Sequence, residues 1–290
     1  MRIRTSSICF VCTLALFLGL TLNTFEKAEA LPKQVWWPEK GTIILGGGYW
    51  SAEHFAGLKK SFLDLAGGRN ARIVIIPTAT NELEPAINSS RPTESLAEYQ
   101  KSVNENFGAK DGIKNVTVLH TRDSKIADSE DFVAPLRNAT GVWIPGGNPE
   151  SLANPYRNTR TQRELLALLN RGGVIAGDSA GALVIGGFWT GFLRDSQDIP
   201  PLKENGFGLI RKLVINAHAD RARNDASLAR FIAAHPDFLG ISIDENTAVV
   251  LKDGSLDVLG KGKMRLFDGN KDKQQPYLTL STGEHQVLRN

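Results

Sequence analysis

Short apolar runs alternate with amphipathic stretches along most of the chain. Runs rich in β-branched residues, without regular polar alternation, occur at 42–45, 72–76, 116–119, 141–144 and 173–176. Such runs predict strands buried on both faces, as in a parallel sheet covered by helices. Between them, apolar residues at steps of three and four predict helices at 52–66, 93–107 and 160–171. This alternation predicts an α/β fold with a doubly wound, mostly parallel sheet.

Towards the C-terminus, strands follow one another without helices between them. Three short apolar segments are separated by glycine-containing turns, at 247–251, 256–259 and 263–267. Such turns are typical of antiparallel hairpins, which we expect to be appended to the edge of the sheet. No break in composition divides the chain. Residues 31–290 are therefore predicted to form a single domain, with a core at about 41–251 and C-terminal hairpins at 252–290.

The first thirty residues have the layout of a secretory signal peptide. Arg2 and Arg4 precede an apolar run from Ile8 to Leu22, and Ala28-Glu29-Ala30 has the small-x-small form of a cleavage site. The run is short for a membrane span, which disfavours the alternative of an uncleaved anchor. We expect cleavage after Ala30, a secreted or periplasmic location, and no membrane association after cleavage.

Charge and cysteine content narrow the candidate chemistry. The chain has 34 Lys and Arg against 31 Asp and Glu, a net charge of +3, with no long run of one sign. Nothing in this balance favours nucleic acid as a partner. Both cysteines, Cys9 and Cys12, lie in the predicted leader. The mature chain is therefore expected to have neither a disulfide nor a thiol nucleophile.

The segment Gly177-Asp178-Ser179-Ala180-Gly181 follows a predicted buried strand and precedes a predicted helix. A serine on a sharp strand-to-helix turn needs neighbours without bulk, and the first N–H groups of the following helix point at it. Ser179 is therefore the candidate nucleophile. The N–H of Ala180, together with that of Gly147 in the Gly146-Gly147 turn, is the candidate oxyanion hole. The alternative interpretation is a plain helix cap.

A serine nucleophile needs a base, and the chain has five histidines, His54, His120, His218, His235 and His285. His218 follows the apolar run 213–217, so it is expected at the carboxyl end of a strand and is the best candidate base. His235 lies at a predicted helix end, where a favourable interaction with the helix dipole is the simpler role. His285 lies in the polar tail.

At these residues the sequence resembles the cyanophycinase and aspartyl dipeptidase family of serine peptidases, family S51. The resemblance covers about 41–251, and its motifs are specific as a set. They are Gly46-Gly47-Gly48, the segments 75–79, 143–148 and 177–182, His218 with Arg221 and Arg223, and the segment 240–248.

The resemblance implies a flavodoxin-like fold related to class I glutamine amidotransferases, with Ser179 in place of their cysteine. It implies amide hydrolysis with no metal and no cofactor, in which Ser179 attacks, His218 carries the proton and a carboxylate orients the imidazole. Glu245 matches the family's Ser-His-Glu order, and Asp195 is the rival acid. We favour Glu245, because it follows a strand expected to run beside the His218 strand.

The same resemblance implies a peptide substrate with aspartyl or isoaspartyl bonds, of the β-aspartyl–arginine type found in cyanophycin. Here the sequence departs from the cyanophycinase pattern. Asn148 stands where a glutamine is typical, and Asn224-Asp225-Ala226 interrupts the arginine-rich stretch that begins with Arg221 and Arg223. Asn148, Arg221 and Arg223 are candidate substrate-binding residues, although the arginines fit a solvated face equally well.

Two other classes of function remain open from the sequence. An esterase of the α/β-hydrolase type shares the G-x-S-x-G segment but places its histidine late in the chain, which would require His285 rather than His218. A non-catalytic extracellular binding protein on the same fold is the other. The sequence also leaves a homodimer open.

Overall fold

The computed structural model describes residues 29–30, 39–80, 83, 95–189, 204–222, 225–269 and 275–289. Within these ranges the strands are β1 (Glu29–Ala30), β2 (Thr42–Gly46), β3 (Arg72–Ile75), β4 (Asn115–Val118), β5 (Gly141–Ile144), β6 (Val174–Asp178), β7 (Gly186–Trp189), β8 (Ile210–Asn216), β9 (Leu239–Ile243), β10 (Thr247–Lys252), β11 (Ser255–Gly260), β12 (Lys263–Phe267), β13 (Leu278–Ser281) and β14 (His285–Arg289).

The α-helices over the same ranges lie mainly between the strands of the first half. They are α1 (Ala52–Leu65), α2 (Leu96–Val103), α3 (Ser124–Ala127), α4 (Glu130–Asn138), α5 (Pro149–Tyr156), α6 (Arg160–Asn170), α7 (Ala180–Ile185), α8 (Ala219–Ala222) and α9 (Asp225–Ala234). A π-helical turn, Asn104–Gly108, continues α2. The capping box between Ser95 and Glu98 accounts for the start of α2.

A nine-stranded sheet forms the centre of the fold, in the order β1-β14-β11-β10-β2-β6-β5-β3-β4. Its members β2, β6, β5, β3 and β4 pair in parallel, as the apolar runs predict. The α/β fold class with a mostly parallel sheet is confirmed. β10 joins this sheet antiparallel to β2 and forms a hairpin with β11.

A second sheet has five strands in the order β13-β12-β9-β8-β7. β7, β8 and β9 pair in parallel, while β12 pairs antiparallel with β9 and β13. The C-terminal strands are thus divided between two sheets, whereas the sequence pattern places all of them at one edge. The division occurs after β11, where Gly260 has a φ of +101° and packs against the Asn246 carbonyl. Glycine is needed there because a side chain is strained at this φ and has no room.

Helices cover both faces of the nine-stranded sheet. Along β2, Ile44 belongs to the core beneath α1 and α2, whereas Ile43 and Leu45 belong to the core beneath α4 to α7. All three side chains are at most 1% exposed. Burial on both faces explains why the strands read as continuous apolar runs rather than alternating ones.

The predicted signal peptide falls almost entirely outside the described residues. Its last two residues, Glu29–Ala30, form β1 and pair with the end of β14. The expected cleavage after Ala30 therefore stays a prediction. Across the ranges that the structure describes, none of the helices has both the length and the apolar character of a bilayer span.

Candidate active site

The turn between β6 and α7 places Ser179 at the carboxyl end of the central sheet. Ser179 has φ 51° and ψ −115°, a backbone conformation that non-glycine residues seldom adopt. The neighbouring glycines leave no space for side chains: a Cβ at Gly177 would lie 2.4 Å from the Gly181 carbonyl oxygen, and one at Gly181 would lie 1.9 Å from that of Ile144. These contacts hold Ser179 on a sharp, strained turn of the kind that presents a nucleophile.

His218 lies within hydrogen-bonding distance of this serine. The Ser179 Oγ and the His218 Nε2 are 2.8 Å apart. His218 follows β8, has a φ of +55°, and its N–H donates to the Gly47 carbonyl at 3.0 Å. Gly48 lies directly against the imidazole, since a Cβ there would be 2.3 Å from the His218 Cε1. The glycine loop after β2 therefore supports the ring that faces Ser179.

Glu245 completes the hydrogen-bonded series. Its Oε1 lies 2.9 Å from the His218 Nδ1, and its side chain is 13% exposed. The Glu245 N–H donates to the Asp220 Oδ1 at 3.0 Å, which fixes the backbone of this loop. β8 and β9 run in parallel as neighbours, so the residues that follow them, His218 and Glu245, emerge at the same edge. The rival acid, Asp195, lies outside the described residues.

A network of charged and polar side chains underlies the loops that carry His218 and Glu245. Arg265 on β12 pairs with Asp244 at 2.7 Å and with Asp225 at 3.1 Å. Ser242 on β9 accepts a hydrogen bond from Asn216 at 2.7 Å and donates one to Asp225. The network thus joins β8, β9, β12 and α9 directly behind the base and its acid.

Asp178 immediately precedes the candidate nucleophile and points into the protein. Its Oδ1 accepts a hydrogen bond from the Trp50 Nε1 at 2.6 Å. Burial raises the pKa of the Asp178 carboxyl, and the hydrogen bond from Trp50 only partly opposes this shift. Asp178 therefore links the loop after β2 to the Ser179 turn.

The two candidate oxyanion donors lie on either side of the serine. Ala180 begins α7, where the first N–H groups of a helix have no intrahelical acceptor. Gly147 has a φ of +139°, and a Cβ there would lie 2.0 Å from the Ala79 carbonyl oxygen. A Cβ on the adjacent Gly146 would lie 3.0 Å from the Ser179 Cβ, so this turn is beside the nucleophile. The roles of Ala180 and Gly147 stay predictions.

The three candidate substrate-binding residues differ in their surroundings. The Asn148 side chain caps α5, accepting from the N–H groups of Glu150 at 2.8 Å and Ser151 at 3.1 Å. Arg221 pairs with Glu245 at 3.1 Å, and its guanidinium lies 5.0 Å from the centre of the Tyr49 ring. Arg223 lies outside the described residues. None of the three roles is tested by these contacts.

The remaining histidines have other partners. His54 and His120 bond to the hydroxyls of Ser51 at 2.6 Å and Thr78 at 3.0 Å. His235 follows the end of α9 and packs against Phe231. His285 on β14 bonds to the Asp257 carboxylate at 2.8 Å. His218 is the histidine that bonds to Ser179, so the geometry does not support the esterase order that would require His285.

Two residues of the site have no motif in the sequence: Trp50, which donates to Asp178, and Asp220, which accepts from the Glu245 N–H. Gly48 and Arg221 belong to motifs of the sequence, but their contacts with the His218 imidazole and with Glu245 were not predicted. Three successive glycines after a buried strand are the signal that a close backbone approach is needed there.

In the part of the chain that the structure describes, no group of three or more His, Cys, Asp or Glu side chains is placed to hold a metal ion.

Comparison with known proteins decides the family. Residues 42–259 match the model of peptidase family S51. The chain belongs to peptidase family S51. As an S51 protein it is a serine-type peptidase, and the Ser179–His218–Glu245 series lies within the matched region.

Similar proteins include a cyanophycinase of Nostoc sp. (strain PCC 7120), which is 30% identical over 256 residues that cover 85% of this chain and 80% of that protein. A peptidase E of the same organism is 25% identical over 153 residues, covering 49% of this chain and 61% of that one. The crystal structure of a peptidase from an acI-B1 Actinobacterium superposes with a TM-score of 0.65 at 24% identity, over 87% of this chain and 98% of that one. This structural likeness supports the shared fold.

Proposed function

We propose that this S51 peptidase is exported and hydrolyses aspartyl or isoaspartyl peptide bonds through an acyl-enzyme. The observation that supports it best is the continuous hydrogen-bonded series, 2.8 Å from Ser179 to His218 and 2.9 Å from His218 to Glu245. A serine, an imidazole and a carboxylate in this order form the arrangement that activates a hydroxyl for attack on a carbonyl carbon.

In the acylation step, the Ser179 Oγ attacks the carbonyl carbon while the His218 Nε2 takes the hydroxyl proton. Glu245 accepts the hydrogen bond of the His218 Nδ1–H, which fixes the tautomer with a free Nε2 and stabilises the imidazolium. The developing oxyanion lies towards the N–H groups of Ala180 and Gly147. Collapse of the tetrahedral intermediate breaks the C–N bond, and His218 gives its proton to the leaving amine.

In the deacylation step, a water molecule takes the place of the departed amine. His218 removes a proton from that water as its oxygen attacks the Ser179 ester. The ester bond then breaks, His218 returns a proton to the Ser179 Oγ, and the new carboxylate leaves. One amide bond and one water are consumed, and the enzyme returns to its starting protonation.

The substrate class is supported by the relatives and by one charged group. Cyanophycinases are among the most similar proteins, at about 30% identity. Arg221 is 62% exposed beside Glu245, where its guanidinium is accessible to a substrate carboxylate.

Export is supported by the sequence of residues 1–30, and its test is N-terminal sequencing of the processed protein, which we expect to begin at Leu31.

The deciding experiment incubates the processed protein with cyanophycin, β-aspartyl-arginine and a panel of aspartyl and isoaspartyl peptides. We expect hydrolysis of at least one class, and none by Ser179→Ala. A fluorophosphonate probe should label Ser179 in the folded protein and fail to label Ser179→Ala. Absent labelling together with absent turnover would favour the non-catalytic binding protein instead. Full activity in His218→Ala with loss in His285→Ala would favour the esterase.

A further inference from the structure

A cavity of about 290 Å³ lies beside the Ser179 turn, between the central sheet and the helices α1 and α2. Its lining includes Phe55, Tyr99, Phe107, Trp143, Pro145 and Asp178. Ligand pockets for small molecules typically start at about 300 Å³. The cavity is therefore of a size for one side chain rather than for a whole ligand.

The walls of the cavity are rigid and aromatic. Trp143 is 3% exposed, and its ring centre lies 5.8 Å from that of Phe55 and 5.5 Å from that of Phe107. A third ring, Phe62, packs behind Trp143 at 5.3 Å. The contacts of Trp143 with Phe55 and Phe62 are edge-to-face and that with Phe107 is tilted, and such contacts at these distances hold the rings in place. A side chain that enters the cavity meets an apolar surface formed before it arrives.

The polar groups of the lining argue against a cationic guest. Asp178 is the lining carboxyl, and burial raises its pKa, while its Oδ1 is already bonded to Trp50. The other polar side chains of the lining are the phenol of Tyr99, the hydroxyl of Ser102 and the amide of Asn106, none of which is a charged group. An arginine placed here would lose its hydration without gaining a free carboxylate, which is costly.

The cavity adjoins the two turns that lie beside the candidate nucleophile. Asp178 immediately precedes Ser179, and Pro145 immediately precedes the Gly146-Gly147 turn that flanks it. Both residues stand at the carboxyl ends of their strands, which is where ligands bind in open α/β sheets. We therefore expect a peptide whose scissile carbonyl reaches Ser179 to place a neighbouring side chain near this cavity.

We propose that this cavity is a specificity pocket for an apolar or aromatic side chain of the peptide, adjacent to the bond that Ser179 cleaves. The inference rests on the proposed function and narrows its substrate class. It selects aspartyl or isoaspartyl peptides that carry a neighbouring phenylalanine or leucine over those that carry arginine.

The test uses one peptide series, isoaspartyl-X and aspartyl-X, with X as Phe, Leu, Ala or Arg. Binding to Ser179→Ala measures the pocket, and turnover by the unaltered enzyme measures the function. We expect the Phe and Leu peptides to bind at least about 10-fold more tightly than the Ala peptide, as filling an apolar pocket implies. The Arg peptide should bind no more tightly than the Ala peptide. Equal binding of all four peptides, tighter binding of the Arg peptide, or no binding of any peptide would contradict the proposed pocket.

A pair of variants tests whether this cavity is responsible for the tighter binding of the Phe and Leu peptides. Ser102→Phe, built in the Ser179→Ala background, fills the cavity and should remove the advantage of Phe over Ala while leaving binding of the Ala peptide. Ser102→Ala at the same position should keep the advantage. An unchanged preference in a folded Ser102→Phe protein contradicts the assignment. Binding preference without turnover of any peptide would instead retain the pocket and reject the proposed hydrolysis.

Discussion

The two halves of the candidate active site are built differently. Ser179 follows β6 of the nine-stranded sheet and is placed by backbone geometry, with glycines at 177 and 181 packed against carbonyl oxygens. His218 and Glu245 follow strands of the five-stranded sheet and are held by side-chain contacts, including the network around Arg265. The nucleophile is therefore expected to be sensitive to added Cβ atoms, and the base and acid to the loss of charged partners.

The largest effect among the partners of His218 is expected from Glu245→Gln. The amide keeps the shape but favours the wrong imidazole tautomer, so kcat should fall by about 10³ to 10⁴-fold with little change in KM. Steady-state kinetics on the best peptide substrate measures this loss. Asp195→Asn tests the rival acid. If Asp195→Asn lowers kcat by that factor while Glu245→Gln lowers it little, Asp195 is the carboxylate that orients His218.

A glycine substitution tests whether the base, too, is sensitive to an added Cβ atom. Ala at Gly48 would place a Cβ 2.3 Å from the His218 Cε1 and would displace the ring from Ser179. We expect Gly48→Ala to lower kcat by about 100-fold, since displacements of about 1 Å have effects of that size.

The matched control for Gly48→Ala is Gly67→Ala. Gly67 also has a positive φ, +111°, and its nearest neighbour beyond the adjacent residues is 3.9 Å from the added Cβ. It should show a similar backbone strain in thermal unfolding and keep its activity. Equal loss of activity in both variants would mean that strain, rather than contact with His218, is responsible.

The charged network behind the base is tested by Arg265→Met. Removal of the guanidinium leaves Asp244 and Asp225 without their cation, and their side chains are 11% and 24% exposed. We expect the free energy of unfolding to fall by about 2 to 3 kcal/mol, measured by urea titration. Arg211→Met, at an exposed position on β8, is the control and should change it by less than about 0.5 kcal/mol. Similar values for both would show that the network contributes no stability.

The smallest effect is expected from Arg221→Ala. Arg221 is 62% exposed, so solvent screens its ion pair with Glu245 and the pair contributes little. We expect kcat to change by less than about fivefold, and the change to shrink as salt is added. A rise in KM confined to peptides with a free carboxylate would assign Arg221 to the substrate. A 100-fold loss of kcat for every peptide would instead place it in the catalytic step.

Much of the fold follows from the chain's own periodicity. The helix predicted at 52–66 is found at Ala52–Leu65, and the strand predicted at 141–144 is found at Gly141–Ile144. A strand that is buried on both faces is recognisable in the sequence as a continuous apolar run. The placement of β12 beside β9 cannot be recognised in the sequence, because the pairing of separate strands depends on tertiary packing.

The candidate site was predictable to a similar extent. Ser179 and His218 each stand where an apolar strand ends, so their meeting at one edge follows from the strand pattern. The three glycines after β2 indicate a close backbone approach but not that His218 is the partner, and the hydrogen bond from Trp50 to Asp178 has no signal in the sequence. Both contacts depend on where a loop folds back.

Because the site is divided between two sheets, we expect activity to appear late in folding. α7 leads from Ser179 directly into β7, and the serine meets a histidine 39 residues later in the chain, after the neighbouring strand β8 of the second sheet. Long-range parallel pairings form slowly compared with helices. Secondary structure should therefore return during refolding before hydrolysis does, and a chain that has completed only its first sheet is an inactive peptidase. Catalytic activity is in this sense acquired last.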